Sequence, residues 1–201
     1  MEVARQVYSE QFPLLDRYVD ILGSTAVIWG LLGPREADRL WDRHILNSAA
    51  LSNLIASDSA VVDVGSGAGL PGIPLAILRP DLRVTLIEPL LRRSIFLVQT
   101  VAELGISERV EVVRSRAEDH QSTYDVVVAR ALARLDRLIG WCNPLRAPSG
   151  VILALKGASA ADEVAAAARQ LHDAGLSAEV LKARPHADAA PATVVRLSAG
   201  R

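Results

Sequence analysis

Apolar positions near the amino end recur at close to the helical period. Val3, Val7, Leu14, Leu15, Tyr18, Val19 and Leu22 predict a helix over residues 2–22. Pro13 should bend or split it, because proline lacks the amide proton and crowds the preceding turn. Residues 23–33 read as a connection. Pro34 suits the first turn of a following helix, and residues 35–55 carry Ala37, Leu40, Trp41, Ile45, Ala49 and Leu54 on one face. The first 55 residues therefore predict a helical cap.

Beyond residue 58 the period changes. Short β-branched runs predict five strands: Ala60–Val64, Val84–Glu88, Val110–Val113, Tyr124–Ala129 and Val151–Leu155. Helical stretches separate most of them: 71–78, 90–104 with Gly105 as its C-cap, and 135–145, which leads to a turn at Pro148-Ser149-Gly150. An alanine-rich helix over 160–173 stops at Gly175. Two last strand-like runs, near 178–181 and 193–197, have no helix between them. Alternating strands and helices predict an α/β fold with a mostly parallel sheet, and the last two runs predict an antiparallel hairpin at its edge. The expected division is a cap over 1–55 and one compact α/β unit over 56–201.

The first strand ends in Gly65-Ser66-Gly67-Ala68-Gly69-Leu70-Pro71-Gly72 and opens directly into a helix. Glycines there let a ligand approach the backbone, and ligands of open α/β sheets bind beyond the carboxyl ends of the strands. Glu88, at the end of the next strand, suits the two hydroxyls of a ribose. Gly67-x-Gly69-x-x-Gly72 also fits a dinucleotide fingerprint, so the turn alone is ambiguous. Asp63 tilts the reading. An acid two residues before Gly65 suits an ammonium and repels a pyrophosphate, which favours S-adenosylmethionine over NAD. No Tyr-x-x-x-Lys pair and no P-loop signature is present. After the third strand, Ala117 and Glu118 fall where an adenine would lie.

Charge and composition narrow the partners. Lys and Arg total 22 against 23 Asp and Glu, a net charge of −1, so any basic site must be local. Arg92, Arg93, Arg134, Arg137 and Lys156 fall at or near the ligand edge of the sheet and predict a local RNA-binding rim. Arg130 falls at the same edge and either joins this rim or reaches the cofactor; no residue is a certain catalytic group, and Arg130 is the one candidate. The single cysteine, Cys142, excludes a disulfide framework and reads as a buried thiol inside a helix. His44 reads as a helix histidine with a hydrogen bond, or as a base. No metal-ligand spacing links it to His120, His172 or His186. With no apolar signal core and no spanning run, a cytoplasmic protein is expected.

The missing chemistry is informative. An Asn/Asp-Pro-Pro-aromatic turn after the fourth strand would suit adenine N6 transfer, but Ala129-Arg130-Ala131-Leu132 stands there. A pyrimidine-C5 reaction needs a cysteine nucleophile. A guanine N7 already exposes a lone pair and loses no proton on attack, so positioning can supply much of the acceleration.

Arg43-His44-Ile45-Leu46-Asn47-Ser48, Asp63 through Leu75, Arg92-Arg93-x-x-Phe96-Leu97, Ser115-Arg116-Ala117-Glu118, Ala129-Arg130-Ala131 and Leu155-Lys156-Gly157 occur in that order. Together they resemble the RsmG family, also called glucose-inhibited division protein B, strongly over 35–160. The resemblance implies a Rossmann-like class I methyltransferase fold. It implies transfer from S-adenosylmethionine to N7 of one guanine, position 527 of 16S ribosomal RNA, with the 30S subunit as partner. It further implies cofactor contacts at Gly65, Leu70, Ala117, Glu118 and Arg130, and RNA contacts at Arg92, Arg93, Arg130 and Lys156. Gly67 and Gly69 belong to the same loop. A monomer is expected. The chain departs from many members at Val27-Ile28-Trp29-Gly30-Leu31, and in Arg92-Arg93, where a Lys-Arg pair is usual. An NAD-binding oxidoreductase and a non-catalytic RNA-binding assembly module remain the competing readings.

Overall fold

A computed structural model describes residues 1–33, 36 and 39–200 of the chain. Seven strands form one sheet in the order β3-β2-β1-β4-β5-β7-β6. They are β1 (Ala60–Val64), β2 (Arg83–Ile87), β3 (Val110–Val113), β4 (Tyr124–Arg130), β5 (Arg146–Lys156), β6 (Leu176–Ala183) and β7 (Ala192–Ala199). The first five run parallel, and β7 lies antiparallel between β5 and β6. The expected edge hairpin is borne out.

Strand side chains alternate faces, and the two faces carry separate cores. Val61, Val84, Leu86, Val126, Val128, Leu153 and Leu155 meet α1 (Glu2–Tyr8), α2 (Phe12–Ile21), α4 (Gly72–Leu78) and α5 (Leu91–Glu103) in one cluster. Val62, Val64, Val127, Ala129, Ile152 and Ala154 meet α6 (Leu135–Cys142), α7 (Ala160–Ala166) and α8 (Ala168–Asp173) in the other. The same alternation sends Asp63 and Arg130 toward the cap and Lys156 toward α7.

Several boundaries differ from expectation for identifiable reasons. The first helix is split by a 3-10 turn at Ser9–Gln11, and Pro13 falls in the first turn of α2, where a missing amide proton costs no bond. Residues Leu22–Ala26 continue the helix as a wide π-type turn rather than a connection. Pro34, Arg35 and Ala37, where the second cap helix was expected to begin, lie outside the described residues. Beyond them, Leu40–Leu46 is another wide turn, which runs into α3 (Asn47–Ala49). Such turns shift the buried face, and His44, Ile45 and Leu46 are buried in succession. Pro148-Ser149-Gly150 is not a free turn but part of β5. The Arg146 guanidinium donates through Nη1 to the carbonyls of Ala147, Pro148 and Gly150 at 3.0, 2.8 and 3.1 Å, where the pairing with β4 shifts register after Tyr124. The alanine-rich helix breaks at Ala167, and 135–145 ends as a 3-10 turn at Asn143–Leu145.

Candidate active site at the glycine turn

The turn after β1 is held from three sides. Gly65, Gly67 and Gly69 all take positive φ, at 71, 59 and 97°. From the cap, the Tyr18 hydroxyl donates to the Ala68 carbonyl at 2.8 Å. From β2, Glu88 Oε2 accepts the Gly67 amide at 3.0 Å while its Oε1 accepts the Leu90 amide at 3.0 Å. From beneath, Asp63 Oδ2 accepts the Gly72 amide at 3.0 Å. Gly72 is required there because a Cβ would collide with Leu86 and come within 2.8 Å of that same Oδ2. Gly65 is crowded from outside: a Cβ would meet Leu132 Cδ1 at 2.5 Å. A Cβ at Gly67 would meet only the Gly65 carbonyl at 3.9 Å, an ordinary contact, so its need for glycine is its φ and not internal crowding. Leu70 is buried behind the turn.

Two of the expected acids, Asp63 and Glu88, are buried beside the turn. Asp63 is fully buried and braces the turn from below through the Gly72 amide. Burial pushes its carboxyl up to about 7. Its Oδ1 is buried without a hydrogen-bond partner. Glu88 is also buried, and each oxygen already takes one amide, leaving one lone pair apiece for ribose hydroxyls.

Beside Gly65 lies a narrow cavity of about 130 Å³, mostly apolar, lined by Val64, Ile87, Pro89, Arg116, Ala117, Glu118, Leu132 and Trp141. Ala117 and Glu118 are therefore brought to Gly65, as expected. Trp141 and Leu132 were missed. Trp141 lies in a helix whose pattern reads as ordinary core periodicity, and Leu132 follows Ala131, which takes φ 51°, a left-handed conformation that no periodicity encodes.

On the other side of the turn, Arg130 bridges sheet and cap. Its Nη2 donates to His44 Nδ1 at 2.7 Å and to the Arg43 carbonyl at 3.3 Å, while Nη1 is buried without a partner. Arg130 also borders a wider cavity of about 520 Å³, with Arg43, Asn47, Ala131, Ala133, Arg134, Leu155, Lys156, Gly157 and Glu163. Arg43 and Asn47 are further residues the site assignment missed.

The expected basic rim is gathered only in part. Arg134 borders the wider cavity and is well exposed. Arg92, Arg93 and Arg137 are exposed but do not line it. Arg92 stacks over Trp29 at 5.9 Å from the ring centre, and Arg93 lies 3.9 Å from Glu88. Lys156 is no free cation. Its Nζ donates to Glu163 at 2.8 Å and to the Ala133 carbonyl at 2.6 Å, and only 8% of the side chain is exposed. Its charge is matched locally, and it ties the loop after β4 to α7. Cys142 is buried and its thiol is pushed up to about 12, as expected of an inert cysteine.

The narrow apolar cavity borders the glycine turn at Gly65, and the wide arginine-lined one opens beyond the ends of β4 and β5. The first suits a nucleoside and the second a polyanion. The family model for GidB, rRNA small subunit methyltransferase G, matches residues 11–187. A Ribosomal RNA small subunit methyltransferase G from Nocardioides sp. is 50% identical over 200 residues, covering 98% of this chain and 80% of that protein. One from Salinispora tropica is 54% identical over 170 residues, covering 81% and 70%. Among solved structures, the O-methyltransferase NcsB1 of neocarzinostatin biosynthesis, in complex with S-adenosylmethionine, superposes with a TM-score of 0.64 at 18% identity. The match covers 90% of this chain and 60% of that one, and at such identity the likeness concerns the fold alone. This chain belongs to the rRNA small subunit methyltransferase G family.

Proposed function

We propose that the protein transfers a methyl group from S-adenosylmethionine to N7 of one guanine, position 527, in 16S ribosomal RNA of the small subunit. Family membership over most of the chain, together with an apolar cavity at the glycine turn and an arginine-lined cavity beyond the end of β4, carries this reading. The residues fit the cofactor. The turn around Gly65, Gly67 and Gly69 would hold the methionyl part by its backbone, with Leu70 behind it. The slot at Ala117 and Glu118 would take the adenine, and Glu88 the ribose. Two buried polar atoms without partners, Asp63 Oδ1 and Arg130 Nη1, suit the positive and negative ends of a zwitterionic amino acid.

Bound there, the cofactor supplies an electrophilic methyl on a sulfonium. The protein's own task is placement. Guanine N7 brings its lone pair in line and gives up no proton, and no residue at the site needs to act as a base. Arg43 and Arg134 at the wider cavity would hold phosphates of the acceptor strand, with Arg92, Arg93 and Arg137 extending the rim. We further assign residues 1–55 as a cap that braces the turn through Tyr18.

The test is methyl transfer from labelled S-adenosylmethionine onto small subunits that lack the modification, followed by mapping of the label. Incorporation at the single guanine N7 is expected. Label elsewhere removes the acceptor assignment. Binding of S-adenosylmethionine without transfer to any subunit form would favour the assembly-module reading, and preference for NAD would overturn the cofactor.

A further inference from the structure

Arg130 is an unusual cofactor ligand, because its guanidinium leaves the sheet and enters the cap. A guanidinium has five donors and no acceptor, so any ring nitrogen facing it must offer a lone pair. His44 Nδ1 lies 2.7 Å from Nη2 and therefore accepts. The proton of a neutral ring then sits on Nε2, which faces Glu36 Oε2 at 2.7 Å. Glu36 accepts it, and the chain Glu36–His44–Arg130 has one consistent direction of donation only when the ring is neutral. His44 is 6% exposed and both ring nitrogens are engaged, so the ring has little freedom to turn away.

We propose that Glu36 and His44 are positioning residues that hold Arg130 with its Nη1 edge toward the carboxylate of the amino acid bound at the glycine turn. This rests on the cofactor reading above. Without the relay, a guanidinium on a flexible stem samples many rotamers and binds an anion at the cost of ordering them. With it, one donor pair is spent on the cap and the other is left pointing at the ligand. The cap, remote from the reacting atoms, thereby sets cofactor affinity.

The charge pattern makes the relay acid-sensitive. Burial, and then the Arg130 charge, hold the His44 imidazole below its ordinary range; the Glu36 hydrogen bond pulls the other way, and Arg43 adds to the depression. Protonation puts a hydrogen on Nδ1 and turns an acceptor into a cation facing Arg130. The groups that face His44 are Glu36 and Arg43 on the cap and Arg130 at the end of β4. Asp63 and Tyr18 lie further along the same charge cluster.

The experiment is a titration of S-adenosylmethionine against wild type, His44→Asn, Glu36→Gln, Arg130→Ala and the His44→Asn/Arg130→Ala double variant, across pH 5 to 8. The asparagine offers an oxygen near the Nδ1 position but reaches no Glu36. At pH 8 we expect roughly tenfold weaker binding for His44→Asn and a smaller loss for Glu36→Gln. The His44→Asn deficit should shrink as the pH falls, because the wild-type ring also loses its lone pair. In the Arg130→Ala background the substitution should add nothing. A deficit that is constant with pH, or a further loss in the double variant, overturns the relay. Nitrogen-15 NMR of the ligand-free protein reads the ring directly, whether or not a variant folds: an Nε2–H tautomer is expected, and an Nδ1–H tautomer overturns the proposal. If wild type shows that tautomer yet binds no S-adenosylmethionine, the cofactor reading has failed and Glu36–His44 no longer has a ligand to position Arg130 for, so that result also overturns it.

Discussion

Asp63 shows how one residue can serve a site at the expense of the empty fold. Its folded pKa, about 7, lies above the ordinary 3.8, so the folded protein holds the proton more tightly than the unfolded chain. The stability penalty therefore grows as pH rises from 3.8 to about 7 and is complete above that. Asp63→Asn should make the ligand-free protein more stable at pH 8, by about 1 kcal/mol or more, with the gain fading toward pH 5. The same variant should bind S-adenosylmethionine more weakly, since the carboxylate that favours a cation is gone. Thermal melts at the two pH values and a binding titration check both halves; a variant destabilised at pH 8 would contradict the account. Gly72 is the matching case of shape. Gly72→Ala must push Leu86 or the Asp63 carboxylate aside, and we expect a loss of about 1–3 kcal/mol in denaturant unfolding.

At the scale of elements, the cap and the crossover helices fasten the loops that the sheet leaves loose. Tyr18 on α2 is fully buried and spends its hydroxyl on Ala68 in the turn. Tyr18→Phe keeps the packing but strands a carbonyl, so we expect about 1–3 kcal/mol less stability and weaker cofactor binding, measured by melts and titration. Tyr8 on α1 repeats the device on Pro74 at 3.3 Å. On the other face, Lys156 ties the loop after β4 to Glu163 of α7, whose Oε2 also accepts the Leu135 amide at 3.0 Å. Lys156→Met should loosen that loop and lower methyl transfer while leaving the salt dependence of RNA binding unchanged. A reduced salt slope would instead restore Lys156 as a phosphate contact.

For the whole molecule, a net charge of −1 means that RNA affinity must come from a few placed arginines. Arg134→Ala should weaken binding to ribosomal RNA and reduce the salt slope by about 0.7–0.9, with S-adenosylmethionine affinity unchanged. Binding isotherms at several salt concentrations check this. No helix among the described residues is long and apolar enough to cross a membrane.

The alternation of β-branched runs and helical stretches was enough to read the seven strands, their parallel core and the antiparallel edge, because burial on two faces leaves a strong local imprint. The glycine turn was equally legible, since glycine takes positive φ at little cost and lets a ligand approach the backbone at that spacing. What the residues at the turn face was not legible. Whether Asp63 opens to the ligand or hides beneath it, whether Lys156 is free or matched, and which nitrogen of His44 meets Arg130 depend on contacts between residues far apart in the chain. Local pattern records which face of an element is buried; only packing decides which charge lies opposite which.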